Sequence, residues 1–169
     1  MKVFLFDADV IIWCAKNNKL DALFEDKDIK IPEVIYEQVR YIVDVETGEE
    51  KPIQLQKYIE EGSLEVIDNP LTEEMKKVRG TYKQCSHLAE LDDGEAECIT
   101  LLKKRPNYSF CSGDKRAIRV LGFLQFSEQA ISLEEILGGA QNIRENFTRR
   151  YKEKYLKEGS ELWVQYGEW

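Results

Sequence analysis

Histidine is almost absent from this chain, which has one, His87, in 169 residues. Zinc sites in proteins are usually built from several His and Cys side chains. The four cysteines, Cys14, Cys85, Cys98 and Cys111, show no CxxC spacing and lie in or beside apolar segments. We therefore expect no zinc site of the usual kind, and we expect the cysteines to be small buried hydrophobes in a reducing compartment.

Long apolar runs are also lacking. No stretch approaches the roughly 20 apolar residues that a membrane-spanning helix needs. Asp7 and Asp9 interrupt the only apolar stretch near the amino terminus. The sequence therefore predicts no signal peptide, no membrane contact and a cytoplasmic location.

Positive charge is in the minority, with 24 Lys and Arg against 32 Asp and Glu and a formal net charge of -8. This balance disfavours indiscriminate binding to duplex nucleic acid. It does not exclude a nucleic-acid enzyme whose basic residues lie on one side. Basic residues do gather at 103–105, 115–119 and 144–157. For any one of these groups, a solvated helix face is the interpretation we favour.

Short apolar segments alternate with helical ones along the chain. We predict strands at 2–6, 29–31, 64–67, 108–111 and 123–126, and helices at 10–16, 20–24, 33–43, 53–61, 72–80, 95–103, 114–121 and 133–137, with a loop over 44–52 and a long final helix after residue 139. This alternation predicts an α/β fold with three α/β/α layers around a central parallel sheet of about five strands. We expect one domain over 1–137 and a C-terminal helical extension with an aromatic tail over 138–169.

Two acidic residues follow predicted strands at the point where each strand ends. Asp7 comes directly after the first strand, and Asp114 follows the fourth strand across Ser112 and Gly113. In open parallel sheets, ligands bind beyond the carboxyl ends of the strands. A carboxylate buried there is costly unless a cation or a hydrogen-bond donor meets it.

A third acid, Glu95, lies at the start of a predicted helix. It shares a helix face with the apolar residues Cys98, Ile99 and Leu102, at the spacing of a buried stripe. Asp93, just before it, is the expected N-cap of this helix. Glu95 is therefore expected to point inward.

Carboxylates that converge on one pocket repel one another unless a divalent cation neutralises them. Hard oxygen ligands without His or thiolate select Mg²⁺ or Mn²⁺. Such sites usually serve phosphoryl chemistry. The acids therefore predict a magnesium or manganese centre.

Three segments resemble the PIN-domain ribonucleases, the family that includes VapC-type toxins. Residues 4–12 (FLFDADVII) match an apolar strand followed by Asp and an apolar helix, residues 91–99 contain a Gly-Glu-Ala-Glu helix opening, and residues 111–117 (CSGDKRA) are similar to a Thr-x-Asp-Lys/Arg segment. The resemblance covers roughly residues 1–137. It implies hydrolysis of single-stranded RNA, dependent on Mg²⁺ or Mn²⁺.

The resemblance also assigns roles to individual residues. Asp7, Glu95 and Asp114 would be the catalytic acids that hold the metal, and Asp9 would add charge to the site. Ser112 would support them through its hydroxyl.

Two basic residues follow Asp114. Lys115 and Arg116 would meet a substrate phosphate at the start of their helix, where anions are favoured. Ordinary surface charge explains them equally well.

The chain departs from the family at one position. The family has an acid in the helix after the second strand, and the matching register from Pro32 and Ile35 leads to Gln38. The neighbouring acid, Glu37, falls on the opposite helix face. Gln38 and Glu37 are therefore only supporting candidates. Because Gln38 brings no charge to the expected metal site, the sequence does not decide whether the protein is catalytic.

In the segment 140–169, large apolar or aromatic residues recur every four positions, at Ile143, Phe147, Tyr151 and Tyr155. Many basic residues lie among them. A helix packed on the domain is the interpretation we favour. The alternatives are a dock for RNA, for a second copy of the chain, or for the small antitoxin protein that the toxin resemblance implies.

Two other functions stay open. A phosphatase of the haloacid dehalogenase type would use Asp7 and Asp9 as nucleophile and acid/base. A PIN-type module that has lost catalysis would account for Gln38.

Overall fold

The computed structural model describes residues 2–44, 47–68, 72–82, 85–138, 154 and 156–158. In chain order its elements are β1 Val3–Phe6, α1 Ala8–Lys16, α2 Leu20–Phe24, β2 Asp28–Pro32, α3 Glu33–Gln38, β3 Tyr41–Val43, β4 Glu50–Pro52, α4 Gln56–Glu60, β5 Leu64–Ile67, α5 Thr72–Thr81, α6 Ser86–Glu90, α7 Asp93–Lys104, β6 Tyr108–Cys111, α8 Lys115–Phe123 and α9 Leu133–Leu137. A short 3-10 turn, Ser127–Gln129, lies between α8 and α9.

Four strands form one parallel sheet in the order β5-β2-β1-β6. The strands are short apolar runs, and Leu5, Ile31 and Phe110 are fully buried within them. This burial is what a parallel sheet covered by helices requires. The prediction of an α/β fold with a parallel sheet flanked by helices is confirmed, and the arrangement is compatible with three layers.

The predicted fifth strand at 123–126 is wrong. Helix α8 continues to Phe123, and the chain then turns at Gln125, whose φ is 63°. A short apolar run such as Phe123-Leu124 fits a helix end as well as a strand, so periodicity alone could not separate the two. The chain reaches the sheet later, through a single parallel bridge between Phe110 and Ala130.

The predicted helix over 33–43 and loop over 44–52 are also wrong in part. Helix α3 ends at Gln38, and β3 then pairs antiparallel with β4. The sequence Tyr41-Ile42-Val43 is aromatic and β-branched, which favours strand. The turn is stabilised by Asp44, whose carboxylate accepts a hydrogen bond of 3.2 Å from the backbone N–H of Thr47.

The four cysteines are free and buried, as expected. Helix α6 was not predicted, and α4 is shorter than its predicted range of 53–61. No helix in the described part of the chain is long and apolar enough to cross a membrane.

The predictions for the C-terminal extension, 138–169, fall almost wholly outside the described residues. Of that segment, the structure describes residue 138, and it shows Lys154 and residues 156–158 as helical. The long final helix, the aromatic tail and the contacts expected for 140–169 therefore stay predictions, as does the domain boundary at 137.

The sheet determines where the predicted acids lie. β1 and β6 are adjacent and parallel, with Phe6 opposite Cys111 at their carboxyl ends. The residues that follow these two strands therefore emerge at the same edge of the sheet, which we call the carboxyl edge.

Candidate functional site

Asp7 is the first residue beyond β1 at the carboxyl edge. It is the N-cap residue of α1, it is 6% exposed, and its backbone N–H donates to the carbonyl of Cys111 at 3.1 Å. Burial raises its pKa to about 6; the hydrogen bond from Ser112 opposes that shift, and the charges of Asp92 and Asp9 add to it. Ionisation of the Asp7 carboxyl group therefore costs free energy in the folded protein.

Ser112 connects the two strand exits. Its hydroxyl donates to Oδ2 of Asp7 at 2.7 Å and accepts from the backbone N–H of Asp114 at 3.0 Å. The side chain is 5% exposed, so both hydrogen bonds lie away from bulk water. The predicted supporting hydroxyl therefore contacts two of the three acids.

Glu95 lies in the first turn of α7 and is 3% exposed, so its predicted inward orientation agrees with its burial. Burial is the largest cause that raises its pKa to about 8, followed by the negative charges of Asp7, Asp92 and Asp114. Acids from three separate chain segments therefore act on one buried carboxyl group. We call Asp7, Glu95 and Asp114 the carboxylate cluster.

Asp92 is a site residue that the sequence reasoning missed, and Asp93 is not the N-cap. The N-cap is Asp92, whose Oδ1 accepts from the backbone N–H of Glu95 at 2.8 Å. In return, Oε2 of Glu95 accepts from the backbone N–H of Asp92 at 3.2 Å. The spacing Asp-x-x-Glu is the signature of this capping box and was visible in the sequence.

Two further contacts fix the start of α7. A Cβ at Gly94 would lie 2.6 Å from Cγ1 of Ile35, so glycine allows α7 to approach α3 closely. Arg79, from α5, donates through Nη2 to the carbonyl of Leu91 at 2.9 Å. No short-range pattern in the sequence pointed to Arg79, because this contact joins α5 to the segment between α6 and α7.

Asp114 is the half-buried N-cap residue of α8, and its partner is Arg116. Its Oδ1 accepts from the backbone N–H of Arg116 at 2.6 Å and from Nε at 3.1 Å, and its Oδ2 accepts from Nη2 at 2.9 Å. Burial alone would raise the pKa of Asp114, but the Arg116 hydrogen bonds outweigh it and hold that pKa below its usual range. This acid is therefore already neutralised by a cation of the protein.

The remaining predicted charged residues, Asp9 and Lys115, lie at the exposed rim of the carboxylate cluster. Asp9 is exposed in the first turn of α1, and its charge raises the pKa of Asp7. Lys115 is exposed as the first residue of α8. Both lie close to the carboxylate cluster in the chain, and neither is buried in it.

Gln38 and Glu37, unlike Asp7 and Glu95, are not buried. Both side chains are exposed at the end of α3, and Glu37 forms an ion pair with Arg40. Ile35, one turn before Gln38, is the residue of α3 that a Cβ at Gly94 would meet.

The donor set of the cluster fits Mg²⁺ or Mn²⁺, because all its ligand atoms are carboxylate oxygens. Within the described part of the chain, no basic side chain forms an ion pair with Asp7 or Glu95. In the described ranges, however, no group of three or more His, Cys, Asp or Glu side chains is arranged to hold a metal ion. The cluster thus has the chemistry of a cation site without a finished ligand geometry.

Comparisons with protein-family models, with curated proteins and with solved structures found no match to this chain.

Proposed function

We propose that this protein is a Mg²⁺- or Mn²⁺-dependent endoribonuclease of PIN type that cleaves single-stranded RNA. The observation that supports this most is the environment of Glu95. Its carboxyl group is buried at the carboxyl edge, and the charges of Asp7 and Asp114 both disfavour its ionisation. A divalent cation between these groups would reverse that cost.

In this proposal, Asp7, Glu95 and Asp114 hold the cation. When bound, the cation would supply a nucleophilic water of lowered pKa and positive charge for the scissile phosphate. Ser112 fixes the orientation of Asp7 through its 2.7 Å hydrogen bond. Phosphoryl transfer depends chiefly on such positioning and on electrostatic stabilisation.

Two local structures prepare the site for an anionic substrate. The capping box between Asp92 and Glu95 fixes the position of Glu95 at the start of α7. Lys115 begins α8, a helix of 9 residues, where the helix dipole favours phosphate. Substrate would therefore approach from the rim where Asp9 and Lys115 are exposed.

The choice of single-stranded RNA rests on the resemblance of residues 4–12, 91–99 and 111–117 to PIN-domain ribonucleases. The net charge of -8 also argues against general binding to duplexes. The same resemblance makes a small antitoxin protein the expected partner. Residues 140–169 are the segment expected to contact it, or a second copy of the chain.

Cleavage of a labelled panel of single-stranded RNAs with Mn²⁺, and with EDTA in place of Mn²⁺, tests the proposal. We expect cleavage by the wild-type protein with Mn²⁺ only, and a loss of at least about 100-fold in Asp7→Asn and Glu95→Gln. Glu97→Gln is the matched control, because it makes the same change on the same helix two residues away. It should keep full activity.

Three results would contradict the proposal. Cleavage that survives in Asp7→Asn would remove the metal centre from the mechanism. Mn²⁺ binding without cleavage of any RNA would indicate a binding module that has lost catalysis, as the exposed Gln38 allows. Hydrolysis of p-nitrophenyl phosphate that needs Asp7 and Asp9 but survives Glu95→Gln would favour a phosphatase.

A further inference from the structure

Arg116 makes the most complete contact with any acid of the carboxylate cluster. Its Nε lies 3.1 Å from Oδ1 of Asp114, and its Nη2 lies 2.9 Å from Oδ2. A guanidinium that donates to both oxygens of one carboxylate forms the strong, bidentate type of ion pair. Both oxygens of Asp114 are therefore turned toward a cation that belongs to the chain.

The charges of other acids in this region also act on this guanidinium. The hydrogen bonds and charge of Asp114 raise the pKa of Arg116 most, and the charges of Glu95 and Glu90 raise it further. Arg116 thus lies in the negative potential that a divalent cation would also seek. Its side chain is 46% exposed, so it can rotate into solvent without breaking a packed core.

The three acids of the carboxylate cluster differ in whether a basic side chain pairs with them. Asp7 and Glu95 have no basic partner among the described residues, whereas Asp114 is held by Arg116. In that same part of the chain, no three side chains are grouped as metal ligands. Of the three acids, Asp114 is therefore the one whose oxygens are both engaged by a basic side chain.

The geometry points to Arg116 as the resident counter-cation of the carboxylate cluster, which must leave Asp114 before a divalent cation can bind there. This inference rests on the proposed function, since it assumes that the cluster takes such a cation. The exchange leaves helix α8 intact, because Oδ1 of Asp114 keeps its separate bond from the backbone N–H of Arg116 at 2.6 Å. Arg116 therefore competes with the divalent cation and does not assist its binding.

Lys115 provides a control with the same charge. It adjoins Arg116 at the start of the same helix and is exposed. Arg116→Gln and Lys115→Gln each remove one positive charge from this end of α8, so their long-range electrostatic effects match. Only Arg116→Gln also releases the two oxygens of Asp114. A third variant, Arg116→Lys, keeps the charge but cannot form the bidentate contact.

The test is Mn²⁺ binding by isothermal titration calorimetry to the full chain, with circular dichroism to verify folding of each variant. We expect Arg116→Gln to bind Mn²⁺ about twofold to fivefold more tightly than wild type, since the pair it removes is exposed. The Mn²⁺ affinity of Arg116→Lys should lie between those of wild type and Arg116→Gln. Lys115→Gln should change the Mn²⁺ affinity less than about twofold. In wild type, the NMR signal of the Arg116 side-chain Nε–H should shift when Mg²⁺ is added.

The outcomes separate this inference from the proposed function. Mn²⁺ binding by wild type but not by Asp7→Asn would support the proposed cation site. If Arg116→Gln then binds Mn²⁺ no more tightly than Lys115→Gln, the inference that Arg116 competes with the cation is wrong. Weaker binding in Arg116→Gln would mean that Arg116 positions Asp114 for the cation, which also overturns the inference. If neither wild type nor Arg116→Gln binds Mn²⁺, the proposed cation site and the competition fail together.

Discussion

The hydroxyl of Ser112 donates a 2.7 Å hydrogen bond to Oδ2 of Asp7, joining residues 105 positions apart in the chain. This contact exists because β1 and β6 are adjacent and parallel, so that the residues after Phe6 and Cys111 emerge side by side. This hydrogen bond joins the two segments that follow β1 and β6 into one site. Its removal should therefore affect both the stability of the fold and the ionisation of Asp7.

Ser112→Ala should destabilise the protein by about 1–3 kcal/mol at neutral pH, because it leaves a buried carboxylate oxygen without its donor. The pKa of Asp7 should rise above its value of about 6, since the Ser112 hydrogen bond lowers it. Urea unfolding and NMR titration of the Asp7 carboxyl carbon measure the two effects. Ser109→Ala is the control, because Ser109 is buried on β6 opposite Phe4, away from Asp7. An unchanged Asp7 titration in Ser112→Ala would show that the contact has no electrostatic role.

The buried acid Glu95 should make the stability of the metal-free protein depend on pH. Burial and neighbouring acids raise its pKa in the folded protein from 4.5 to about 8, so the folded state binds a proton more tightly than the unfolded state. The free energy of unfolding contributed by Glu95 should therefore fall as pH rises from about 4.5 to about 8. Paired acids such as Asp114 have lowered pKa values and act in the opposite sense at lower pH.

Glu95→Gln isolates this contribution. The amide oxygen can still accept from the backbone N–H of Asp92, while the charge is gone. With EDTA present, we expect the variant to be more stable than wild type by on the order of 2 kcal/mol at about pH 8.5 and nearly equal to it at about pH 5. Urea unfolding at the two pH values measures the difference, and Glu97→Gln should show a much smaller one. Equal stability of wild type and Glu95→Gln at the higher pH would mean that the Glu95 charge is well solvated.

The sequence alone was sufficient for the four sheet strands, because each is a short apolar run between turn signals. It also located Asp7, Ser112, Glu95 and Asp114, whose positions follow from strand ends and from one helix face. It failed at 41–43, where a helical stripe and a strand-forming tripeptide overlap, and at 123–126, where an apolar helix end looked like a strand. In both places two conformations were locally reasonable, and the chain adopted hairpin pairing with β4 at 41–43 and continuation of α8 to Phe123.

The contacts that complete the site could not be predicted in the same way. The bond from Arg79 to the carbonyl of Leu91 and the approach of Ile35 to Gly94 each join elements that only the fold brings together. The pairing of Arg116 with Asp114 is local, yet it depends on side-chain rotamers that a short sequence pattern does not specify. Strand ends and one helix face therefore indicate the acids in the sequence, whereas the groups that orient or neutralise them depend on the fold.

Mn²⁺ should stabilise the wild-type protein against thermal unfolding. A ligand that binds only the folded state adds about 2.7 kcal/mol when its concentration is 100 times its Kd. Asp7→Asn should lose this gain, because Asp7 is the buried acid that anchors the cluster to β1. Differential scanning fluorimetry with and without Mn²⁺ measures it. An equal gain in Asp7→Asn would place the bound cation elsewhere on the acidic surface.

Gly94→Ala should destabilise the protein, because the added Cβ would lie 2.6 Å from Cγ1 of Ile35. Overpacking of this kind costs about 1–3 kcal/mol, since α7 must shift away from α3. Gly80→Ala is the matched control within helix α5, where a Cβ would meet nothing within 4 Å. That control should leave the stability unchanged or raise it slightly, because Gly80 lies in the last turn of α5.

Combining Gly94→Ala with Ile35→Ala tests the cause directly. The smaller side chain leaves space for the new Cβ, so Gly94→Ala should cost less in the Ile35→Ala background than in wild type, by at least about 0.5 kcal/mol. Urea unfolding of the four proteins in this cycle gives the coupling energy. A cost that is the same in both backgrounds would assign the effect to the helix backbone and not to the contact with Ile35. Because Glu95 follows Gly94 directly, a shift of α7 in the single variant should also change the NMR titration of the Glu95 carboxyl group.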